Sequence, residues 1–596
     1  MSKTETKLNR KTTGSILIRL CGYVFHYWYL FIPAVVFTLL SNQLSLLGPK
    51  YSGEAIDALT GGVDFAGVWH NVIRMILCYV LSAALSYVLS VIMLHMSQRI
   101  VRTMRKQLFE KLMSLKVNYF DTHATGDIIS HISYDIDTIN STLSHDLVQI
   151  MTSIYTVVGS LIFMWNISKP LIAVFVITIP ISLLFTRHRS KKVRPLFKVR
   201  SKRLGSLNGY AEEMLSGCRT IQAYSREEEI SRRFNSRNTD AMEAYYQADY
   251  HSCIMGPSMS FISNLSISLV MILGGVLYLY SQNGTFASGS AFFITLGGVA
   301  QFVQYSRKFA GPINEFANIL SELQSAFSAA ERVFEILDEA PETADREEAV
   351  TLENAKGEVE LQDVVFGYTP DKTILKQISV KAQPGKTIAI VGPTGAGKTT
   401  IINLLMRFYD PNSGSVMVDG LPSENYTRKS LREAYTMVLQ DTWLFKGTIF
   451  ENIAYGKEGA TLEEVKAAAR AARIDAYIES LPAGYDTVLT DDGVNISKGQ
   501  RQLITIARAM LSDSKMLILD EATSNVDSRT EVKIQQAMNE LMQGRTCFII
   551  AHRLSTIQNA DLILVLQDGK ITEQGTHEEL LSQKGFYSTL YNSQFV

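Results

Sequence analysis

The stretch TIAIVGPTGAGKTT, residues 387–400, decides the fold of the second half of this chain. Thr387–Val391 is short, apolar and β-branched, which reads as a buried strand. It runs into the pattern GxxxxGK[ST] and then into IINLLMRFY, which reads as a helix. The glycines let backbone N–H groups approach phosphate oxygens closely, and the helix N-terminus adds partial positive charge. Residues Gly392, Pro393, Thr394, Gly395, Ala396, Gly397, Lys398, Thr399 and Thr400 therefore form a candidate nucleotide cradle. In such a loop Lys398 reaches the β- and γ-phosphates and Thr399 ligates Mg²⁺.

Two further strands carry the chemistry that a triphosphate needs. Met516–Leu519 ends in Asp520 and Glu521. Asp520 sits where a Mg²⁺-orienting carboxylate is required, and Glu521 can take a proton from an attacking water. Cys547–Ile550 leads to His552, at the place of a γ-phosphate sensor. Strand and helix signals alternate from Val359 onward, so residues 358–596 read as an α/β phosphate-loop ATPase with a helical subdomain. Residues 326–357 are charged and read as a linker.

The first half has a different character. Charged residues are 19% of the 596-residue chain, and the net charge is −1. Residues 1–340 hold 31 Lys+Arg and 24 Asp+Glu, whereas residues 341–596 hold 26 and 34. An apolar basic half thus precedes a polar acidic one. Apolar runs near 28–49, 72–96, 147–166, 171–187, 258–280 and 288–310 approach the ~20 residues that cross ~30 Å of hydrocarbon. The fourth is short and contains Pro180, and residues 1–15 show no cleavable signal pattern. Basic residues crowd the connections after the second run (Arg99 to Lys116) and the fourth (Arg187 to Arg203). The positive-inside rule then places both termini in the cytoplasm. Both connections have helical composition and are expected to turn back near 120–131 and 208–224, where Gly126 and Gly217 break the pattern.

Together these residues resemble the ATP-binding cassette (ABC) transporters over nearly the whole chain. The decisive element is NISKGQRQ, residues 495–502, followed by LITIARAML, which looks like the LSGGQ signature of that family. The resemblance implies that Ser497, Gly499 and Gln500 contact a nucleotide held by a second chain. It assigns Tyr368 to stacking on adenine and Gln440 to the Mg²⁺ and γ-phosphate site. Residues 524–527 look like the D-loop, and residues 490–493 loosely match a loop that crosses the dimer. Six spans followed by one cassette resemble an exporter half-transporter, with 120–131 and 208–224 as its coupling helices. The expected layout is a cytoplasmic segment 1–27, a six-helix transmembrane domain 28–325, the linker, and the cassette. One cassette cannot close its own site, so a dimer follows from the resemblance. Lys498 stands where the family has glycine. The retained Glu521 and His552 make this chain resemble the subunit of a bacterial heterodimeric exporter that supplies the competent Walker residues, with a homodimer as the alternative.

ATP and Mg²⁺ are the implied cofactors, and the cytoplasmic membrane is the implied location. The spans carry uncharged polar and aromatic groups (Asn42, Gln43, Tyr155, Asn264, Gln301, Gln304, Tyr305) and almost no ionisable ones. A hydrophobic or amphipathic cargo of multidrug type is compatible, with lipid or peptide export as alternatives. Rival classes are an ATP-gated regulatory membrane protein, opposed by Glu521 and His552, and a soluble ATPase of DNA repair or translation, opposed by the spans. The near-neutral charge gives nucleic-acid binding no support. Five scattered cysteines without a CxxC pair support neither a disulfide framework nor a zinc site.

Overall fold

The computed structural model describes residues 10–60, 62, 64–286, 290–439, 442–490, 495–520, 527–550 and 557–594. They form two compact units. The first comprises residues up to Met113 together with Thr125–Glu339, and the second comprises Ser114–Ala124 with Ala340 onward.

The first unit is helical throughout. In chain order its helices, with one interloper, are α1 (Arg10–His26), α2 (Trp28–Thr60), α3 (Phe65–Met113), α4 (Val117–Thr122), α5 (Thr125–Ser130), α6 (Ile136–Ser141), α7 (Leu147–Ile167), α8 (Lys169–Ser216), α9 (Cys218–Ala223), α10 (Glu227–Cys253), α11 (Met255–Gln282) and α12 (Leu296–Asp338). The interloper α4 belongs to the second unit. Among the described residues, five helical stretches are long and apolar enough to cross a membrane: Trp28–Thr60, Phe65–Met113, Thr125–Ile167, Lys169–Ser216 and Glu227–Gln282. Their outward faces are apolar. Leu77, Val80, Leu81 and Leu94 of α3 are exposed, as hydrocarbon requires. Inward, small hydroxyls bring helices together. Ser82 Oγ of α3 donates to the Ser41 carbonyl of α2 at 2.8 Å, and the Ser41 and Ser86 hydroxyls are 2.6 Å apart. α8 passes unbroken through Pro180 and Pro195.

Three expectations change. The sixth expected span, 288–310, falls on α12, which is 43 residues long but is not among those stretches, because Gln301, Gln304, Arg307 and Lys308 interrupt its first half. The linker expected from 326 begins instead after Asp338, because Ala326, Ala329, Ala330, Val333 and Phe334 bury an i, i+3, i+4 stripe that keeps α12 helical. Gly126 lies inside α5, and the break falls earlier, at His123, whose extended backbone ends α4. Gly217 does end a helix, its N–H donating to the Glu213 carbonyl.

Two π-helical turns, His131–Asp135 and Thr142–Asp146, flank α6. Asp135 is buried, and its carboxylate accepts from Arg332 Nε at 2.9 Å and from the other side of the same guanidinium at 2.5 Å. His131 Nδ1 lies 2.6 Å from the same group. A buried carboxylate needs such partners, and these fix the lower part of α12 against the π turn.

The second unit is an α/β cassette. Its strands are β1 (Val359–Phe366), β2 (Leu375–Ala382), β3 (Thr387–Val391), β4 (Ser413–Val418), β5 (Leu421–Pro422), β6 (Tyr435–Val438), β7 (Gly447–Thr448), β8 (Val488–Leu489), β9 (Met516–Asp520), β10 (Thr546–Ile550), β11 (Leu562–Gln567) and β12 (Lys570–Gly575). An antiparallel sheet has the order β2-β1-β4-β5, and a six-stranded sheet the order β12-β11-β3-β10-β9-β6. In the larger sheet only the β11–β12 pairing is antiparallel. Val359, Leu361, Ile388, Ile390, Ile401 and Leu405 share one core. The helices Ile449–Ala454, Leu462–Ala471 and Lys498–Leu511 form the helical subdomain around Ile449, Ile453, Val465, Leu503 and Ile504.

Residues 341–356 are pinned to this unit. Glu342 takes both Arg432 guanidinium nitrogens at 2.6 and 3.2 Å, and Asp345 pairs with the buried Arg428 at 3.2 Å. The cysteines of the described residues are free thiols. Cys547 is buried in β10, and burial pushes its thiol up to about 12, whereas Cys218 is exposed. Iodoacetamide at pH 8 should therefore label Cys218 readily and Cys547 only after unfolding. Peptide mapping by mass spectrometry checks this, and fast labelling of Cys547 in the folded protein would contradict its placement.

Candidate functional site: a nucleotide cradle and a signature helix

β3 is central in the six-stranded sheet, between β11 and β10. Its C-terminal end is where open α/β sheets bind ligands. The chain there passes through Gly392 (φ +155°), Gly395 (φ +83°) and Gly397 (φ +105°) before the helix Lys398–Leu405 starts. A Cβ on Gly392 would fall 2.1 Å from the Leu566 carbonyl oxygen, and one on Gly397 would fall 2.7 Å from Leu375 Cδ2. Only glycine fits both the backbone angle and the space. The result is a loop that curls over a helix N-terminus, the geometry that cradles phosphate.

Ala396, Lys398 and Thr400 are buried, while Pro393, Thr394, Gly395 and Thr399 are exposed. Lys398 Nζ donates to the carbonyls of Gly392 (2.8 Å) and Pro393 (3.1 Å), so the ammonium lies inside the curl of the loop. Thr399 opens outward from the first helical turn. Asp520 ends β9, which lies two strands from β3. Ile550 of β10 aligns with both Asp520 and Ile390, so the carboxylate stands level with the end of β3, about 10 Å across. These groups suit Mg²⁺ in their chemistry, a hydroxyl and a carboxylate at the mouth of a phosphate loop. Bound there, the ion would neutralise charge on the phosphate oxygens.

Tyr368 follows β1. Its hydroxyl is 3.3 Å from Thr400 Oγ1 and accepts from Asn403 Nδ2 at 3.0 Å. Both partners lie on the cradle's own helix, so the ring is held beside the phosphate loop with 42% of the residue exposed. Tyr409 packs edge-on to Tyr368, with centroids 5.0 Å apart. The Tyr409 hydroxyl then donates to Asp121 of α4 at 2.6 Å. Burial and the adjacent Asp121 carboxylate raise the Tyr409 phenol above its ordinary range, which keeps its proton in place to donate. Sequence reasoning missed Asn403, Tyr409 and Asp121. The RFY that follows the cradle helix was the available signal, but nothing local links it to a segment 288 residues earlier.

Ser497 caps the helix Lys498–Leu511. Its hydroxyl accepts from the Gln500 N–H at 3.3 Å, and the Gln500 side chain accepts from the Ser497 N–H at 2.9 Å. The hydroxyl proton remains to be donated elsewhere. Gly499 is buried in the first turn. Lys498 is the first helical residue and has no left-handed backbone angle, so the position does not demand glycine's conformational freedom. Asp527 caps the helix Ser528–Met542, accepting from the Thr530 N–H at 3.0 Å, which holds its carboxyl below the usual range. Gln440, Glu521 and His552, the D-loop residues 524–526, and 491–493 lie outside the described residues.

In the membrane unit, Asn42, Gln43, Tyr155, Gln301, Gln304 and Tyr305 gather on α2, α7 and α12. Tyr155 OH donates to Gln43 Oε1 at 2.6 Å, Gln304 Nε2 to Ser52 Oγ at 3.0 Å, and the buried Tyr305 OH to the Leu46 carbonyl at 2.6 Å. A cavity of about 40 Å³ between α8, α11 and α12, lined by Phe175, Ser266 and Phe309 among others, has room for little more than a water.

A strand-centred phosphate loop, a capped signature helix and an upstream set of spanning helices define a class of membrane ATPase. Models of known families agree. The ABC transporter transmembrane region matches residues 30–299, and the ABC transporter cassette matches residues 375–524. The chain belongs to the ABC transporters, as a half-transporter of exporter type with an ATP-hydrolysing cassette. It is 42% identical over 591 residues to the ABC transporter ATP-binding protein YfiC of Bacillus subtilis (strain 168), spanning 99% of this chain and 96% of that one. It is 44% identical over 527 residues to a fatty acid ABC transporter ATP-binding/permease protein of Mycobacterium tuberculosis, spanning 88% and 81%. It is 35% identical over 525 residues to an ATP-dependent lipid A-core flippase of Syntrophus aciditrophicus, spanning 88% and 85%. The solved structure of a bacterial Atm1-family ABC exporter with ATP bound shares 29% identity and a TM-score of 0.77, over 95% of this chain and 98% of that one. ABC exporters of this kind work as dimers in a membrane.

Proposed function

We propose that this chain is half of a dimeric pump that exports hydrophobic or amphipathic compounds of multidrug type across the cytoplasmic membrane, with both termini in the cytoplasm. The observation that carries the reading is the pairing of an organised phosphate loop with a capped signature helix on one cassette. The Ser497 hydroxyl and the helix N-terminus behind it are suited to a γ-phosphate held by another chain. In this reading Lys398 binds the β- and γ-phosphates, Tyr368 stacks on adenine, and Thr399, Asp520 and Gln440 hold Mg²⁺. Glu521 is the general base, and His552 senses the γ-phosphate. ATP binding draws the cassettes together, and hydrolysis releases them. Each nucleotide contributes only its differential affinity for the closed state.

A heterodimer is the favoured assembly, with this chain giving the competent Walker residues and its Lys498 signature facing the partner's weaker site. A homodimer is the alternative. Lipid export is a second reading, favoured by the relatives named for fatty acid and for lipid A-core. Purification in native lipid with identification of the co-purifying subunit tests the assembly, and ATP-dependent uptake of dyes and lipids into inside-out vesicles tests the cargo. A dimer that hydrolyses ATP but moves none of them would refute the reading.

The Tyr368–Tyr409–Asp121 chain is a route from nucleotide to the first coupling segment. Asp121→Ala removes an exposed charge-assisted hydrogen bond and is expected to lower cargo moved per ATP by about fivefold. Parallel measurement of uptake and hydrolysis checks it. Unchanged stoichiometry would show that the contact does not transmit.

A further inference from the structure

The polar groups of α12 recur on one side. Gln301, Gln304, Arg307, Lys308, Gly311 and Glu315 follow three- and four-residue spacing, while Phe302, Tyr305, Ser306 and Phe309 are buried on the other side. Arg307 and Lys308 lie eleven and twelve residues beyond Leu296, about 17–18 Å along α12, and Lys308 meets α2 at Ser45, four residues inside the end of the apolar run 28–49. Lys308 therefore stands against the apolar segment of α2, near one end of it. Charges packed against a spanning helix face a bundle interior or a wet path, not lipid, and mark substrate or ion routes.

Their surroundings supply hydroxyls and amides but no counter-charge. Lys308 is half-buried, and its Nζ donates to Ser45 Oγ of α2 at 2.8 Å. Arg307 is exposed. Among the described residues neither forms an ion pair. Glu315, the carboxylate on the same side of α12, is about two turns away and accepts from Gln149 Nε2 of α7 at 2.8 Å. An ammonium has three protons to donate, and Ser45 takes one. The Arg307 guanidinium, one residue earlier, adds a planar pair of donors suited to carboxylate or phosphate.

We infer that Lys308, with Arg307 beside it, is a subsite for the acidic headgroup of an amphiphilic cargo, a carboxylate or phosphate borne on an acyl chain. The inference rests on the export reading above and narrows its cargo. Ser45 orients the ammonium, and the headgroup supplies the missing negative charge when cargo is bound.

The test uses the dimer in lipid nanodiscs at pH 8, with hexadecanoate, hexadecyl phosphate and uncharged hexadecanol as probes of ATPase stimulation. In the unaltered protein at least one acidic probe should act at a tenfold or lower concentration than hexadecanol. Equal response to both acids assigns the preference to charge, and a preference for one names the headgroup. Lys308→Gln should erase the advantage over hexadecanol, and Lys308→Arg should keep it. If hexadecanol matches the acids in the unaltered protein, or if Lys308→Gln keeps the preference, the subsite is wrong while export stands. The ranking in the unaltered protein decides even if a variant fails to fold. Indifference to all three probes in a dimer that hydrolyses ATP overturns both the subsite and the export reading.

Discussion

Glu521→Gln is expected to slow ATP turnover by about 10²–10⁴-fold, the usual contribution of a positioned general base, and to leave ATP affinity unchanged. The side chain keeps its size and loses only its capacity to accept a proton. Its assignment follows from Asp520, which ends β9 level with the strand that feeds the phosphate loop. Because binding survives, the variant should hold the cassettes closed on ATP and accumulate as a dimer with trapped nucleotide. Steady-state ATPase assays and a nucleotide-trapping assay measure the two halves of the expectation. Normal turnover would refute the role. Lost binding would place Glu521 among the groups that hold the nucleotide.

Lys398→Ala should act at the earlier step. The Lys398 ammonium is buried inside the loop on the Gly392 and Pro393 carbonyls, where a phosphate would meet a desolvated cation. A hydrogen bond to a charged group contributes about 1.5–3 kcal/mol, so the dissociation constant for ATP should rise roughly 10- to 100-fold. The fold should tolerate the change, because Gly392, Gly395 and Gly397 set the loop's course. Equilibrium binding of a fluorescent ATP analogue tests this. Unchanged affinity would mean that the ammonium does not reach the phosphates. The two variants thus separate chemistry from binding at one site.

The cradle was readable because its signal is local. A strand, three left-handed glycines and a helix start follow one another within twelve residues, and each is imposed by sterics or by hydrogen bonding. The signature helix was readable for the same reason, with Ser497 and Gln500 forming a capping box three residues apart. The spanning helices were visible as long apolar runs, but their ends were not. α12 carries on to Asp338 because burial of Ala329, Ala330 and Val333 outweighs the charged composition around them. The Asp135–Arg332 pair and the Tyr409–Asp121 bond join residues 197 and 288 positions apart, and periodicity holds no information on such pairs. Arg307 and Lys308 were in plain view. They gained meaning only when α12 placed them on one side with Gln304, against Ser45 and Ser52.

The Lys498 departure illustrates the converse. Read in sequence, a lysine in place of glycine suggests a backbone conflict. In the structure the residue begins a right-handed helix, so its backbone carries no strain, and what distinguishes it from glycine there is its side chain and charge.

The most direct test of the whole account is ATP-dependent movement of a labelled amphiphile by the purified dimer in sealed proteoliposomes. With ATP outside, the label should accumulate in the lumen. It should not do so with ADP or with Glu521→Gln in this chain. Sustained ATP hydrolysis with no displacement of label, or full transport by an isolated single chain, would contradict it.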